Sequence, residues 1–337
     1  MSKLREFEMN IDSSLLADAI LGMLWKQAPA LLHVMITCSL HDNHPTLFKL
    51  LDTLETAPSV HSLALIRCIL PPPEALMHSP YRLLRTLYLE DFQISHTNEL
   101  LDCIEGCQRL ENLTFCHGSL DRYGSEPLGN IPAMPQKLPR VPPRIVALPS
   151  LIFLSIRDNR SANLEHLLCH LVAPKLQTLF LRNLTPYHEL LVSLDGDLGM
   201  QSVFDQMSLL GDVLANFFQR GTELHSLSLE CSHIPDEYLL QILELLPDLS
   251  KLHLKDSFIG RPAIVGLICI DHLATPLCPK LQTIKLESCD IIPGNLLIEL
   301  VASRQTSKCS LPITTLDILQ CKTVRPSHIQ ELQELVP

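Results

Sequence analysis

Ten short apolar triads of the form Leu-x-x-Leu-x-Leu, or a close variant, run the length of this 337-residue chain. They are Leu31/Val34/Ile36, Val60/Leu63/Leu65, Leu84/Leu87/Leu89, Leu110/Leu113/Phe115 and Leu151/Leu154/Ile156, then Leu176/Leu179/Leu181, Leu224/Leu227/Leu229, Leu249/Leu252/Leu254, Leu281/Ile284/Leu286 and Ile313/Leu316/Ile318. One such hexapeptide arises easily by chance in a leucine-rich chain. Ten in succession, each followed by apolar residues at helical spacing, do not.

Successive triads start 29, 24, 26, 41, 25, 48, 25, 32 and 32 residues apart. The shorter intervals suit one strand plus one return helix. Within a triad the apolar residues alternate, as in a strand buried on one face. The pattern predicts an α/β leucine-rich-repeat solenoid, a horseshoe with a parallel concave sheet and helices on its convex side. One triad buries three branched side chains, worth roughly 1.5–3 kcal/mol apiece at most. That is no more than the ordering entropy of its strand, so stability has to come from stacking. With 46% hydrophobic residues and 5% aromatics, the core must be leucine, isoleucine and valine.

Return helices are expected at Thr97–Cys107 (with Ser95 as cap), Asn163–Val172, Asp236–Leu246, Pro293–Ser303 and Pro326–Leu335. Proline near the first helical turn suits the last two, and Pro247 stops the third. Residues 1–30 read as a capping region built on an amphipathic helix, Leu15–Lys26, and residues 31–337 as the solenoid. Six prolines mark 119–148 as a loop. Residues 185–223 form an irregular insertion, with an extra helix near Ser202–Phe218.

A net charge of −11 argues against general phosphate binding, so no nucleic-acid partner is expected. The apolar run Ala263–Ile270 is far too short to span a bilayer, and the first residues lack a signal-peptide core. No membrane partner is expected. The twelve cysteines read as reduced, several (Cys68, Cys289, Cys321) at equivalent places in their repeats, which points to cytoplasm or nucleus.

The chain holds no Walker-type Gly-Lys-Ser/Thr, no G-x-G-x-x-G, no G-x-S-x-G and no H-E-x-x-H. His166, Cys169 and His170 have metal-like spacing, but they share a helix with core leucines and no fourth ligand is evident; His41 and His44 fare no better. No catalysis, cofactor or metal is expected. Chemistry is left to the residues between the leucines, which point away from the core. Tyr88 and Glu90 stand there in the third triad. Phe153 and Phe180 are read as equivalent positions on adjacent triads, followed by Arg157 and Arg182. Lys251, Lys255 and Lys285 make a basic stretch, and His253 shares that face. Aromatics beside arginines are the composition of interface hot spots. The expected partner is a protein on the concave face, with an acidic or phosphorylated segment.

The closing repeats, Leu281-Gln-Thr-Ile-Lys-Leu-Glu-Ser-Cys289 and Ile313-Thr-Thr-Leu-Asp-Ile-Leu-Gln-Cys321, follow L-x-x-L-x-L-x-x-C and continue into helices. This type resembles that of F-box leucine-rich-repeat proteins. Leu148-Pro-Ser-Leu-Ile-Phe-Leu-Ser-Ile156 and Ala173-Pro-Lys-Leu-Gln-Thr-Leu-Phe-Leu181 are similar to F-box-like families of mushroom-forming fungi. The resemblance implies the substrate receptor of a cullin-type (SCF) ubiquitin ligase. A Skp-type adaptor and cullin would follow only with an F-box, and residues 1–30 lack its Leu-Pro opening. The alternatives are a free-standing scaffold or inhibitor and, further off, a GTPase activator using Asn159 or Asn183 with an arginine.

Overall fold

In the computed structural model the described residues are 4–11, 31–38, 60–68, 83–91, 97–117, 144–158, 161–183, 210–231, 234–257, 259–269 and 276–336. The fold is α/β and the chain is a leucine-rich-repeat solenoid, one parallel strand per repeat. It divides into two compact units, Met1–Asp158 with His170–Pro174, and Asn159–Cys169 with Lys175–Pro337.

In the first unit β1 (Glu6–Ile11), β2 (His33–Cys38), β3 (Ser62–Ile66), β4 (Thr86–Glu90), β5 (Asn112–His117) and β7 (Phe153–Asp158) pair in parallel in that order. Val34, Leu63, Leu87, Leu113 and Leu154 stand in one cross-strand row, and Ile36, Leu65, Leu89, Phe115 and Ile156 in the next. Each of these ten side chains is at most 2% exposed. A slip of one residue would turn the whole apolar set outward, so burial fixes the register. Two-residue strands β6 (Val146–Ala147) and β8 (Leu171–Val172) pair beside it. The helix α1 (Thr97–Glu105) buries Leu100, Leu101 and Ile104, and Cys107 beyond its end is buried too.

The second unit pairs β9 (Thr178–Asn183), β10 (Ser226–Glu230), β11 (Lys251–Lys255), β12 (Thr283–Glu287) and β13 (Thr315–Leu319) in the same way. Its helices include α2 (Ser161–His170), α3 (helical at residues 210–219), α4 (Asp236–Glu244), α5 (Arg261–Leu267), α6 (Gly294–Thr306) and α7 (Pro326–Leu335). The triads are buried through Ile313, whereas Leu316 and Ile318 of β13 are only half-buried. No described strand lies on the far side of β13.

Two backbone devices recur at the strand ends. At the start of a strand, one carbonyl of the preceding repeat accepts two consecutive N–H groups: Leu32 from His61 and Ser62, Arg85 from Glu111 and Asn112, His225 from Ser250 and Lys251. At the other end Arg67, Asp91, Cys231, Asp256, Ser288 and Gln320 are all left-handed, with φ between 46° and 58°. The N–H groups of the first five donate to a carbonyl near the end of the next repeat's strand, those of Glu90, Cys116, Lys255, Glu287 and Leu319, at 2.7–2.9 Å. None of the six is glycine, and the first five accept local strain in exchange for that bond.

Three expectations need amending. A repeat strand, β1, precedes the first triad: Glu6-Phe-Glu-Met-Asn-Ile alternates, but its charged residues mask a two-residue period. The expected helix Asn163–Val172 ends at His170, because Leu171-Val172 precede Ala173-Pro174 and take up pairing with β6. The proline-rich loop 119–148 includes β6 at its end. The helix Leu15–Lys26, the cap Ser95, His41, His44, Asn159, residues 119–143 and 185–209 lie outside the described residues.

Candidate functional site

Strand alternation leaves one sheet face to residues between the leucines, and the register sorts them into rows. In the first unit Tyr88 stands between Ala64 and Thr114, and Glu90 between Ile66 and Cys116. The Tyr88 hydroxyl donates to Glu90 Oε2. Burial, reinforced by that carboxylate, pushes the Tyr88 phenol well above its usual range. Arg157 follows in the row of Glu90 and Cys116.

In the second unit the row at the strand ends reads Arg182, Glu230, Lys255, Glu287, Leu319. Charges alternate along it, the arrangement in which directly opposed neighbours attract. Arg182 Nε lies 3.6 Å from Glu230 Oε2, and Lys255 Nζ donates to Glu287 Oε1. Lys285 Nζ approaches the other Glu287 oxygen at 3.6 Å. Lys255 holds the Glu287 carboxyl below the usual carboxylate range, and Glu287 in turn raises the Lys255 ammonium.

The middle row reads Phe180, Ser228, His253, Lys285, Asp317. Ser228 Oγ and His253 Nδ1 are 2.9 Å apart, and His253 Nε2 is 4.0 Å from Glu287 Oε2. Burial, then the nearby Lys285 charge, lowers the His253 pKa, so the ring is neutral at pH 7. Two polar atoms here, Arg182 Nε and His253 Nε2, are shielded and make no hydrogen bond. Such atoms are uncommon in folded proteins and call for a physical reason.

A serine, a histidine and a glutamate in line invite comparison with a nucleophilic triad. However, β10 and β11 are paired on both sides, so the ladder uses their backbone N–H groups. Those ladder N–H groups are therefore not free to hold an oxyanion at Ser228. The row offers directional polar contacts.

Two expectations about the site are corrected by register. Phe153 and Phe180 are not equivalent: Phe153 lies in the row of Asn112 and Thr86, Phe180 in that of Ser228 and His253. Phe153 comes two residues after the first leucine of its triad, and Phe180 four. Ser155, the counterpart of Phe180, is 2% exposed. The basic stretch is also largely neutralised, since Lys255 and Lys285 share Glu287; Lys251 alone among these lysines is exposed and in another row, between Ser226 and Thr283. Glu230 and Glu287 also stand among the outward residues of their triads, and it is the register that pairs them with Arg182, Lys255 and Lys285. His166 and Cys169 are buried on α2, where Arg220 Nη1 donates to the Cys169 carbonyl at 2.6 Å. Among the described residues no three His, Cys, Asp or Glu side chains could hold a metal ion.

No family model and no curated protein matches the chain. Among solved structures it is similar to a chain of the Rad7–Elc1 complex from yeast, at 15% identity over 95% of this chain and 71% of that one, with a TM-score of 0.47. It is also similar to a chain of the TLR13–ssRNA13 complex, at 14% identity, covering 87% of this chain and 46% of that one, with a TM-score of 0.26. Neither likeness bears on function. The assignment of a leucine-rich-repeat protein rests on the register and burial described above. No helix among the described residues is long and apolar enough to cross a membrane.

Proposed function

We propose that the chain is a non-catalytic protein-recognition module, and that it serves as the substrate-reading part of an F-box-type ubiquitin ligase receptor. The observation that carries the recognition reading is the exposed face of β9–β12. There Phe180, Arg182, Lys251, His253 and Lys285 surround an ordered polar network, in which Arg182 Nε and His253 Nε2 make no hydrogen bond. An incoming protein segment with carboxylate oxygens would pair with the exposed Lys251 ammonium and pack against Phe180. Charge alternation on this face favours a partner of mixed polarity over a uniformly acidic one. The ubiquitin-ligase part rests on the cysteine-type repeats alone.

Capture of partners by wild-type chain and by a Phe180→Ala/Arg182→Glu double variant tests recognition. Recovery of the main partner should fall at least about tenfold, the scale of one hot-spot residue; unchanged recovery removes the proposal. A Skp-type adaptor and a cullin in the wild-type capture support the ligase reading, and their absence leaves the second reading. That second reading is a free-standing scaffold or inhibitor.

A further inference from the structure

Cys38 and Cys68, thirty residues apart in sequence, have their sulfurs 3.6 Å apart in space. The meeting follows from a departure in β2. After β3, β4 and β10–β13 the next residue is left-handed and turns the chain away. β2 instead stays extended through Cys38, which pairs with Ile11. Alternation then sends the Cys38 side chain inward with Val34 and Ile36, leaving it 8% exposed.

Cys68 holds the inward place two residues beyond its strand, which Ser257, Cys289 and Cys321 hold in later repeats. There the side chain meets backbone carbonyls: Cys289 those of Leu254 and Glu287, Cys321 those of Leu286 and Leu319. Cys68 keeps the same contacts, to Ile36 and Ile66, and faces a second thiol as well.

We propose that Cys38 and Cys68 form an oxidisable dithiol, a modification site at which a hydroperoxide closes a disulfide between adjacent repeats. A disulfide needs the sulfurs at about 2.05 Å, so closing it must bring them together from 3.6 Å. The Cys38 thiolate attacks one hydroperoxide oxygen. The O–O bond breaks, the leaving alkoxide takes a proton to become the alcohol, and Cys38 becomes a sulfenic acid. Cys68 sulfur then attacks Cys38 sulfur, the S–O bond breaks, and hydroxide leaves as water with the Cys68 proton. Two thiols thereby lose two electrons and two protons, and the hydroperoxide is reduced to alcohol and water. Cys38 is the attacking sulfur because Cys68 is wholly buried, and because the hydrogen bond from Cys68 lowers the Cys38 pKa.

The test treats the folded full chain with hydrogen peroxide, blocks the remaining thiols with iodoacetamide and maps the peptides by mass spectrometry. The expected product is a reducible link between the Cys38 and Cys68 peptides, about 2 Da lighter than their sum, the mass of two hydrogens. Cys68→Ser should leave a sulfenic acid at Cys38, trapped by dimedone, and Cys38→Ser should leave Cys68 unoxidised. The exposed Cys309 is the internal control. If Cys309 oxidises while Cys38 and Cys68 stay thiols, or link only after denaturation, the proposal is overturned. The wild-type map decides this even if a variant fails to fold.

Discussion

Replacing Arg304 probes what holds one repeat to the next in the second unit. This residue of α6 is fully buried, at 0% exposure. Its guanidinium donates from Nε to the Leu267 carbonyl (3.0 Å), from Nη1 to Cys278 (3.2 Å) and from Nη2 to Leu277 (2.6 Å). Leu267 ends α5, so the side chain satisfies a carbonyl that the helix leaves over and sets positive charge at the negative end of its dipole. Burial lowers the Arg304 pKa, and the group still stays protonated. Hydrogen bonds to a charged group are worth about 1.5–3 kcal/mol each, so three give roughly 4–9 kcal/mol before the cost of burying the charge. Arg304→Met fills similar volume but strands the Leu267 and Leu277 carbonyls, at about 1–3 kcal/mol each, while the Cys278 carbonyl keeps the Leu281 N–H. The net loss should be about 4 kcal/mol. Arg304→Lys, which keeps the charge without the fork, should lose about half as much. Urea unfolding, with hydrogen exchange read separately at α5 and α6, measures both. An Arg304→Met chain within about 0.5 kcal/mol of wild type would refute the reasoning, since surface substitutions already scatter that much.

Glu165 on α2 is 4% exposed, its Oε1 has no partner, and burial pushes its carboxyl up to about 7. A raised acid binds its proton more tightly folded than unfolded, so stability falls as pH rises from about 4.5 to 7. From pH 5 to 8 that contribution is about 2–3 kcal/mol, and Glu165→Gln should flatten the pH dependence of the urea midpoint by that amount. Ser288, at φ 53°, should accept Ser288→Gly with a small gain. Ser288→Val should cost about 1–2 kcal/mol by thermal denaturation, because a β-branched residue resists the left-handed region. Lys255→Glu puts a third carboxylate between Glu230 and Glu287. It should lower the melting temperature at low salt, and added Glu287→Lys should restore it, with a coupling of about 1 kcal/mol for this half-buried pair at the sheet surface.

The repeat fold was legible because its signal is local. Leu-x-x-Leu-x-Leu states both the strand and its buried face, and 28 of the 30 triad residues are buried as expected, Leu316 and Ile318 being the half-buried pair. What depends on neighbouring repeats was harder to read. β1 announces itself weakly, since Phe7 and Met9 alternate with glutamates. The left-handed positions carry Arg67, Asp91, Cys231, Asp256, Ser288 and Gln320, so no glycine marks them; at the first five a cross-repeat bond offsets the strain. The site residues were nameable one by one, but their state was not. Whether Lys255 and Lys285 form a basic patch depends on Glu287 in the adjoining strand, and the row of Phe180 depends on counting from the first leucine of its triad.

The central claim is that stacked triads present one sheet face to a protein partner. A photo-crosslinking amino acid placed at Lys251, on that face, and in a second chain at Val265, exposed on α5, tests it directly in extracts of the source cells. The account predicts a discrete protein adduct from position 251 and none from position 265. Equal labelling from both, or labelling from 265 alone, would contradict it.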